Sequence, residues 1–333
     1  MQKTKINYKT QYGFTLLEVF IALIIGLVIF AGVLSVFVGM RTTTSETSSY
    51  GELQENGRFA ISVLSEDLLR QDFWGDYNGS INTGSIDAAV AAPVGECSGD
   101  GINNGTFPVA AGHFRTLWGQ TATTASIMGG CRTDATIGSD VLQLKRVLAT
   151  PLALAVGDIA PANNYYFISN MNDGAFFAPG VVPDIKNARV WQYQHHIYYV
   201  REEAQGINTV PVLMQGQLSG TLSFAPIIDG IERIRFEYGI DTALSPTSPG
   251  YGIVDAYVPA ANMTDDLWDN ASSRIISVKI YVLARAIQPD NKYENKNTYK
   301  LGGFDYTVND NYRRLLFTST ITLYNASTDR WDN

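Results

Sequence analysis

The sequence is short of the side chains on which most enzymes and metal sites depend. Its 333 residues include three histidines and two cysteines, and 17% of them are charged. The motifs G-x-S-x-G, G-x-x-x-x-G-K-[ST] and H-E-x-x-H do not occur, which excludes the hydrolases, nucleotidases and zinc peptidases that these motifs identify. We therefore expect no enzyme, no catalytic residue, no metal site and no cofactor.

Basic residues are also few: the chain has 24 Lys and Arg against 32 Asp and Glu. Lys3, Lys5 and Lys9 lie before Phe14, so the rest of the chain keeps 21 of the 24 basic residues against 32 acidic ones. Nucleic-acid binding needs a clustered basic surface, so we expect no nucleic-acid partner. A charged fraction below the usual ~25%, with abundant Gly, Ser, Thr, Asn and Tyr, is typical of an extracytoplasmic domain.

One long apolar run is present near the N-terminus. No charged residue occurs from Val19 to Met40, and at ~1.5 Å per residue this run spans ~33 Å, enough for the ~30 Å core of a bilayer. A cleaved secretory signal would have a shorter apolar region of ~7–15 residues and a small-residue cleavage site, which RTTTSETSS after Met40 lacks. The lysines before the run predict a cytoplasmic N-terminus and a translocated body.

A carboxylate, Glu18, lies at the start of this run, where a charge is unfavourable by up to a few kcal/mol. A position at the membrane interface is the simplest explanation. However, the stretch GFTLLE, Gly13 to Glu18, resembles the processing site of type IV prepilins and type II secretion pseudopilins. In that family a membrane peptidase cuts after the glycine and methylates the new N-terminal residue, here Phe14.

This resemblance implies several roles and partners. Residues 1–13 are a cleaved prepilin leader, and the carboxylate of Glu18 pairs with the Phe14 amine of a neighbouring subunit, because an unpaired charge in an apolar helix bundle is disfavoured. The implied partners are the prepilin peptidase, the major pilin, other minor pilins, a tip adhesin and, before assembly, the inner membrane.

The apolar run is expected to continue as an amphipathic helix. Apolar residues at spacings of seven and four predict one buried helical stripe: Leu53, Ala60, Leu64 and Leu68. Gly75 is the expected stop. We therefore predict a helix over residues 14–74, whose apolar membrane or filament part is about 14–40, followed by an extracytoplasmic β-rich head over residues 75–333.

Alternating apolar and polar residues predict strands in the head. The alternation is clearest in three segments: Ile234–Ile240, Ile276–Val282 and Phe317–Leu323. Further strands are predicted at Asp140–Leu148, Tyr165–Ser169, Val190–Val200 and Val210–Gln215. One apolar face implies an antiparallel sheet covered on one side, and the obvious cover is the amphipathic half of the helix. The predicted fold class is α+β and pilin-like.

The Gly/Ser/Asn-rich region from Gly75 to about Ser139 contains both cysteines, Cys97 and Cys131. Outside the cytoplasm a disulfide between them is expected; two unrelated buried thiols are the alternative. In the same region SGDGINNGT, residues 98–106, offers oxygen donors, but its spacing does not match an EF-hand, and a solvated turn is expected. The adjacent His195 and His196 would point to opposite faces of a strand and are expected to be partly exposed.

Three segments of the head make the family resemblance more specific. DGIERIRFEYGID, Val278–Arg285 and Arg313–Asn325 resemble conserved segments of PilW-type minor pilins and J-type minor pseudopilins. Residues 77–230 show no such likeness. The resemblance implies a minor type IV pilin of the pilus-priming or tip complex, first a single-pass inner-membrane protein with a periplasmic head and then part of the surface pilus.

Two other functions stay open at this point. One is a minor pseudopilin of type II secretion, which shares the same signal. The other is a signal-anchored extracytoplasmic binding or hydrolytic domain. That second alternative predicts a flexible linker at TTTSETSSYG, residues 42–51, and a pocket with converging polar groups.

Overall fold

A computed structural model describes residues 13–206 and 208–327. The first twelve residues of the predicted leader, with their three lysines, lie outside this range. The chain divides into two compact units, Met1–Gly51 and Glu52–Asn333, and each is described by itself.

The first unit contains the start of helix α1, which spans Leu16–Leu69. No proline occurs before Pro93, so nothing in the sequence removes a backbone donor along this helix. Apart from Glu18, the 25 residues Leu16–Met40 are predominantly apolar, and none is buried. At ~1.5 Å per residue they span ~37 Å, enough to cross a bilayer. The predicted apolar segment is therefore present as a helix of sufficient length.

The second unit begins on the later part of α1, where the predicted stripe is buried. Leu53 is 2% exposed, and Ala60, Leu64 and Leu68 are 0% exposed. The prediction that this stripe faces the core is confirmed.

Helix α1 ends at Leu69, five residues before the predicted helix end at Trp74. The backbone becomes left-handed at Asp72, with φ of 59°, and Trp74 then enters the core at 3% exposure. The Trp74 Nε1 atom donates to Asp72 Oδ1 at 3.0 Å, which holds the turn. Gly75, with φ of 66°, is a turn residue after the helix and not its stop.

Thirteen strands are present in the described part of the chain. The seven that form the larger sheet are β1 (Leu117–Thr121), β2 (Asp140–Val147), β3 (Tyr166–Ser169), β4 (Gly174–Phe177), β5 (Arg189–Gln205), β6 (Asn208–Ser219) and β7 (Thr221–Asp229). The other six are β8 (Ile231–Asp241), β9 (Ala256–Pro259), β10 (Arg274–Arg285), β11 (Thr298–Leu301), β12 (Phe304–Thr307) and β13 (Arg314–Thr322). Two short helices are α2 (Asp265–Trp268) and α3 (Tyr324–Ser327).

The 17-residue strand β5 organises the seven-stranded sheet. Its first residues pair with β3, its middle pairs with β2, and its second half pairs with β6. Strands β1, β4 and β7 extend the sheet beyond β2, β3 and β6. All of these named pairs are antiparallel.

The second sheet has the order β13-β10-β8-β9 and is also antiparallel. Residues 234, 236, 238 and 240 of β8 are at most 3% exposed, as the alternation predicts. The polar face of β8 is covered too, because the hairpin β11-β12 places Tyr306 against Arg233 and Phe304 against Arg235, at 4.1 and 4.9 Å.

The predicted α+β class with a long helix and an antiparallel head is confirmed, and all seven predicted strands are present. Six strands were not predicted: β1, β4, β7, β9, β11 and β12. Strand β4 is four residues long and buried throughout, so it has no alternation to detect. Strand β7 contains Pro226, and Leu222 is its one buried residue; proline within a run argues against a strand.

Candidate functional site

The predicted processing segment begins with Gly13, which is exposed and lies before α1. Among the residues that the structure describes, a Cβ atom placed on Gly13 would meet nothing within 4 Å, and the Gly13 backbone is not left-handed. Residues 13–206 and 208–327 therefore give no reason for a glycine here. If glycine is required at this position, the requirement comes from a molecule that binds the segment.

The first turn of α1 is closed by hydrogen bonds between Thr15 and Glu18. The Thr15 backbone N–H and hydroxyl both donate to Glu18 Oε2, each at 2.9 Å, and the Glu18 backbone N–H donates to Thr15 Oγ1 at 3.3 Å. This reciprocal pattern is a capping box, which satisfies backbone donors that have no partner within the helix. Glu18 therefore stabilises the start of its own helix.

The role of Thr15 was missed at the sequence level, although the T-x-x-E spacing that identifies a capping box was visible. Both side-chain and backbone bonds from Thr15 go to the same carboxylate oxygen, Oε2. The other oxygen, Oε1, takes no part in the box. The pairing of Glu18 with the Phe14 amine of a neighbour stays a prediction.

The surface of α1 after Glu18 is apolar and exposed. Phe14 is 87% exposed, and Phe20, Leu27 and Phe37 are 61–63% exposed. Cβ atoms at Gly26 or the two later helix glycines at 32 and 39 would meet nothing within 4 Å. A soluble monomer does not normally expose such a continuous apolar patch, which marks a surface for lipid or for other protein.

The later part of α1 is joined to the larger sheet through one buried carboxylate, Asp67. Arg146 donates to Asp67 Oδ1 through Nε and Nη2 at 2.8 and 2.6 Å. His196 Nδ1 lies 2.6 Å from Oδ2, and the Tyr198 hydroxyl donates to Oδ2 at 2.9 Å. Strands β2 and β5 thus hold the helix through four hydrogen bonds to one side chain.

Burial opposes ionisation of Asp67, but the hydrogen bond and charge of His196 and the guanidinium of Arg146 outweigh it. Together they hold the pKa of Asp67 well below its ordinary value. Asp67 is therefore a carboxylate at neutral pH, and removal of its charge would leave Arg146 buried without this partner.

The expectation that the two adjacent histidines are partly exposed is wrong. His195 is 0% exposed and His196 is 7% exposed, because both faces of β5 are covered. They do point to opposite faces: His196 contacts Asp67, while His195 Nδ1 lies 3.1 Å from the Thr106 hydroxyl. Each has a polar partner, which is what burial of a histidine requires.

The three segments that carry the family resemblance meet in one buried ionic cluster. Arg314 of β13 binds Glu232 of β8 in a bidentate pair, and its Nη1 and Nη2 atoms each donate to Asp310 at 2.7 Å. Arg285 of β10 lies 3.6 Å from Glu232 and donates to the Thr209 carbonyl at 2.6 Å. Charged residues far apart in the sequence therefore connect three strands. This buried pairing explains why the three segments contain Glu232, Arg285 and Arg314.

Two further contacts connect the helix with the C-terminal segment. Asn325 Nδ2 donates to the Gln71 carbonyl at 2.9 Å, just beyond the end of α1. A Cβ atom on Gly57 would lie 2.1 Å from the ring of Phe317, so the helix backbone and β13 approach closely at this position. Only glycine leaves room for this ring.

The predicted disulfide is present: Cys97 and Cys131 are bonded, with Cα atoms 5.3 Å apart and a sequence separation of 34. In the chain-entropy model a loop of this length contributes about 3–4 kcal/mol. The bond closes a loop that also buries Phe107, Phe114 and Trp118.

No arrangement for catalysis or metal binding is apparent in the part of the chain that the structure describes. Within residues 13–206 and 208–327 no three His, Cys, Asp or Glu side chains group as metal ligands. One open depression is lined by Gly75–Gly79, Met171 and Asn172. Its carboxylate, Asp76, is engaged in an ion pair with Arg189.

Comparison with known proteins supports the family resemblance. Residues 197–325 match the family model described as "Type IV Pilus-assembly protein W", so the predicted likeness is confirmed for this part of the chain. The match begins in β5 and includes the ionic cluster of Glu232, Arg285 and Arg314.

Among solved structures, a type IV-like pilin from Thermus thermophilus is similar, with 11% identity and a TM-score of 0.38. The alignment covers 83% of this chain and 98% of that chain. No curated protein sequence matches the chain. Residues 197–325 are thus the segment of this chain that is similar to the pilus-assembly family.

Proposed function

We propose that this protein is a minor type IV pilin that joins the priming or tip complex of a type IV pilus. The observation that carries the proposal is the combination of two independent features in one chain. A prepilin-like segment, Gly13 to Glu18, precedes an exposed apolar helix, and residues 197–325 match a pilus-assembly family.

In the proposed life cycle the helix is first a membrane anchor and then part of the pilus. A prepilin peptidase at the inner membrane removes residues 1–13 and methylates Phe14, and the helix keeps the protein in the membrane with its head in the periplasm. The helix then leaves the lipid for a bundle of pilin helices. There the Phe14 amine of one subunit pairs with Glu18 of the next.

A tip position is favoured by the size of the head. Residues 75–333 form a bulky domain for a subunit that would repeat along a tightly packed helical shaft. A position at the tip removes this crowding. The major pilin and other minor pilins would then contact the subunit on the side that faces the shaft. A tip adhesin would be a partner on its other side.

The proposal is tested by deletion of the gene, followed by counts of surface pili and assays of type II secretion. Loss of pili with normal secretion is expected, with recovery on complementation by the wild-type chain. Normal piliation with defective secretion would instead assign the protein to the secretion system, which shares the same signal.

A second test concerns assembly alone. Glu18→Ala is expected to leave cleavage largely intact and to lower the amount of the protein in sheared pili, because the neighbour's amine loses its partner. Glu52→Ala, which removes an exposed carboxylate from the later part of α1, is the matched control and should assemble normally. Equal incorporation of Glu18→Ala and the control would leave Glu18 with a capping role only.

The alternative of an anchored binding or hydrolytic domain has less support. It predicts a flexible linker at residues 42–51, whereas α1 is helical through these residues, as the continued-helix prediction requires. A minor pseudopilin stays the second candidate, because its signal and head segments resemble those of minor pilins.

A further inference from the structure

A buried polar cluster lies in the part of the head that has no family match. At its centre is Lys145 of β2, which is 0% exposed. Its Nζ atom donates to the backbone carbonyl of Asn104 at 3.2 Å, to the side-chain Oδ1 of Asn104 at 3.3 Å, and to the Arg115 carbonyl at 2.8 Å. A buried lysine amine is thus held against a buried carboxamide.

The carboxamide of Asn104 is fixed in this position. Asn104 is 1% exposed, its Nδ2 donates to the Asp100 carbonyl at 2.9 Å, and its backbone carbonyl also accepts from Gln143 Nε2 at 3.0 Å. A Cβ atom on Gly99 would lie 2.2 Å from Asn104 Nδ2, so the glycine makes the space that Nδ2 occupies. The turn is therefore solvated only in part, because Ser98, Asp100 and Ile102 are exposed while Asn104 is packed inside.

Burial of the amine favours its uncharged form. The ring of Phe114 lies 4.8 Å from Lys145 Nζ, and burial lowers the pKa of Lys145 well below its ordinary value, although the charge of Glu96 opposes this. A buried lysine that loses its proton becomes a nucleophile. The fold has already brought the two groups together, which is the main entropic cost of joining them.

A carboxylate is also close by. Glu96 Oε1 accepts a hydrogen bond from the backbone N–H of Thr106, and a Cβ atom on Gly105 would lie 2.8 Å from the same oxygen. Glu96 therefore lies beside the residue that follows Asn104. The charge of Glu96 acts on Lys145, and a carboxylate is a group that can take up a proton and return it.

We propose that Lys145 and Asn104 join in an intramolecular isopeptide bond. The Nζ lone pair attacks Cγ of Asn104, Glu96 takes one proton from Nζ and gives it to Nδ2, and the Cγ–Nδ2 bond breaks. One molecule of ammonia leaves, and one amide replaces another, so no oxidant, reductant or cofactor is needed. The new bond ties the loop of residues 98–106 to β2, beside the disulfide at Cys97.

The bond is tested on the full-length chain, purified from membranes in detergent, with its disulfide reduced and alkylated. Its intact mass should be lower by one ammonia than the mass calculated for the N-terminus found, with its methyl group and the two alkylated cysteines included. Trypsin should not cleave after Lys145, and tandem mass spectrometry should find one branched peptide that contains Asn104 and Lys145. Separate linear peptides with free Lys145 would overturn the proposal.

A cyclic succinimide at Asn104-Gly105 or Asn78-Gly79 would also lower the mass by one ammonia. Mild alkali hydrolyses a succinimide to aspartate or isoaspartate, and the added water removes the mass deficit. An isopeptide bond and its branched peptide persist under the same conditions. A mass deficit that disappears in alkali, with no branched peptide, would therefore overturn the proposal.

Variants separate the chemistry from folding. Lys145→Met should lose the branched peptide, and Lys300→Met, which changes an exposed lysine, should keep it. Glu96→Gln leaves both reacting side chains in place and should give free Lys145 and intact Asn104 in a folded protein. A wild-type yield of the branched peptide in Glu96→Gln would overturn the assignment of the proton transfer.

Discussion

Helix α1 has two parts that are continuous in sequence but differ in how their apolar side chains are buried. Between Leu16 and Met40 the helix is apolar on all sides and exposed. Between Glu52 and Leu69 it has one apolar stripe, which is buried in the head together with a carboxylate, Asp67.

The difference shows which interactions the chain completes by itself. The later part finds its partners in the same chain: a sheet that binds Asp67 and a strand that packs on Gly57. In the earlier part, Thr15 and Glu18 form the capping box at the start of the helix. The apolar surface of this part needs lipid or other subunits, which is the property expected of an assembly helix.

The largest expected effect concerns Gly13. Gly13→Val should abolish cleavage by a prepilin peptidase, because a branched side chain enters the peptidase groove, and it should leave the unfolding of the head unchanged. Gly51→Ala is the matched control, since a Cβ atom there also meets nothing within 4 Å. The products are compared by mass spectrometry of the N-terminus; a Gly13→Val chain that still begins at Phe14 would contradict the account.

The next effect belongs to the later part of the helix. Asp67→Ala leaves Arg146 and His196 without their shared carboxylate and should lower the free energy of unfolding by about 3–5 kcal/mol. Cleavage after Gly13 should be normal. Glu66→Ala, which removes an exposed carboxylate paired with Arg70, should cost under about 1 kcal/mol. Urea unfolding measures both, and equal effects would show that Asp67 does not hold the helix to the sheet.

The same carboxylate predicts a pH dependence. The pKa of Asp67 is held well below its ordinary value by His196 and Arg146 against the cost of burial. Its stabilising contribution is therefore complete above about pH 4, the ordinary aspartate pKa, and is lost as the pH falls below it. Asp67→Asn should weaken this loss at low pH. If the free energy of unfolding of Asp67→Asn falls at low pH as steeply as that of the wild type, Asp67 is not the group responsible.

A smaller effect is expected at the contact of α1 with β13. Gly57→Ala would place a methyl group against the ring of Phe317 and should cost about 1–3 kcal/mol through overpacking. Gly51→Ala again serves as the control, because alanine is favoured over glycine within a helix. Thermal unfolding distinguishes them, and recovery in Gly57→Ala with Phe317→Leu would identify the ring as the cause.

The smallest effect concerns the capping box. Thr15→Ala should destabilise the first turn of α1 by about 1 kcal/mol, without any change in the stability of the head. Hydrogen exchange of the full-length protein in detergent should show faster exchange confined to the first turn. Altered exchange in residues 52–69 instead would mean that the two parts of the helix are not independent.

Much of the helix could be predicted from the sequence, because the apolar run and the stripe of Leu53, Ala60 and Leu64 have the periods of their secondary structure. The position of Asp67 also carried a signal: it lies three residues after Leu64, on the apolar stripe. Its partners could not be predicted, since Arg146 and His196 are distant in sequence and meet only in the folded sheet.

The head was less predictable in the region that contains Lys145 and Asn104. The Asn- and Gly-rich loop has the composition of a solvated turn, yet it covers a buried face of the larger sheet. Short strands buried on both faces have no alternation, and the burial of His195 depends on that covering loop. By contrast, the alternating strands β8, β10 and β13 were visible because one face of each is apolar.

The central claim is that the first part of α1 is a processed assembly helix. It is tested most directly by mass spectrometry of the N-terminus of the protein from cells with and without a prepilin peptidase. The account predicts a mature chain that begins at N-methylated Phe14 only when the peptidase is present. A chain that begins at Met1 in both cases would contradict it.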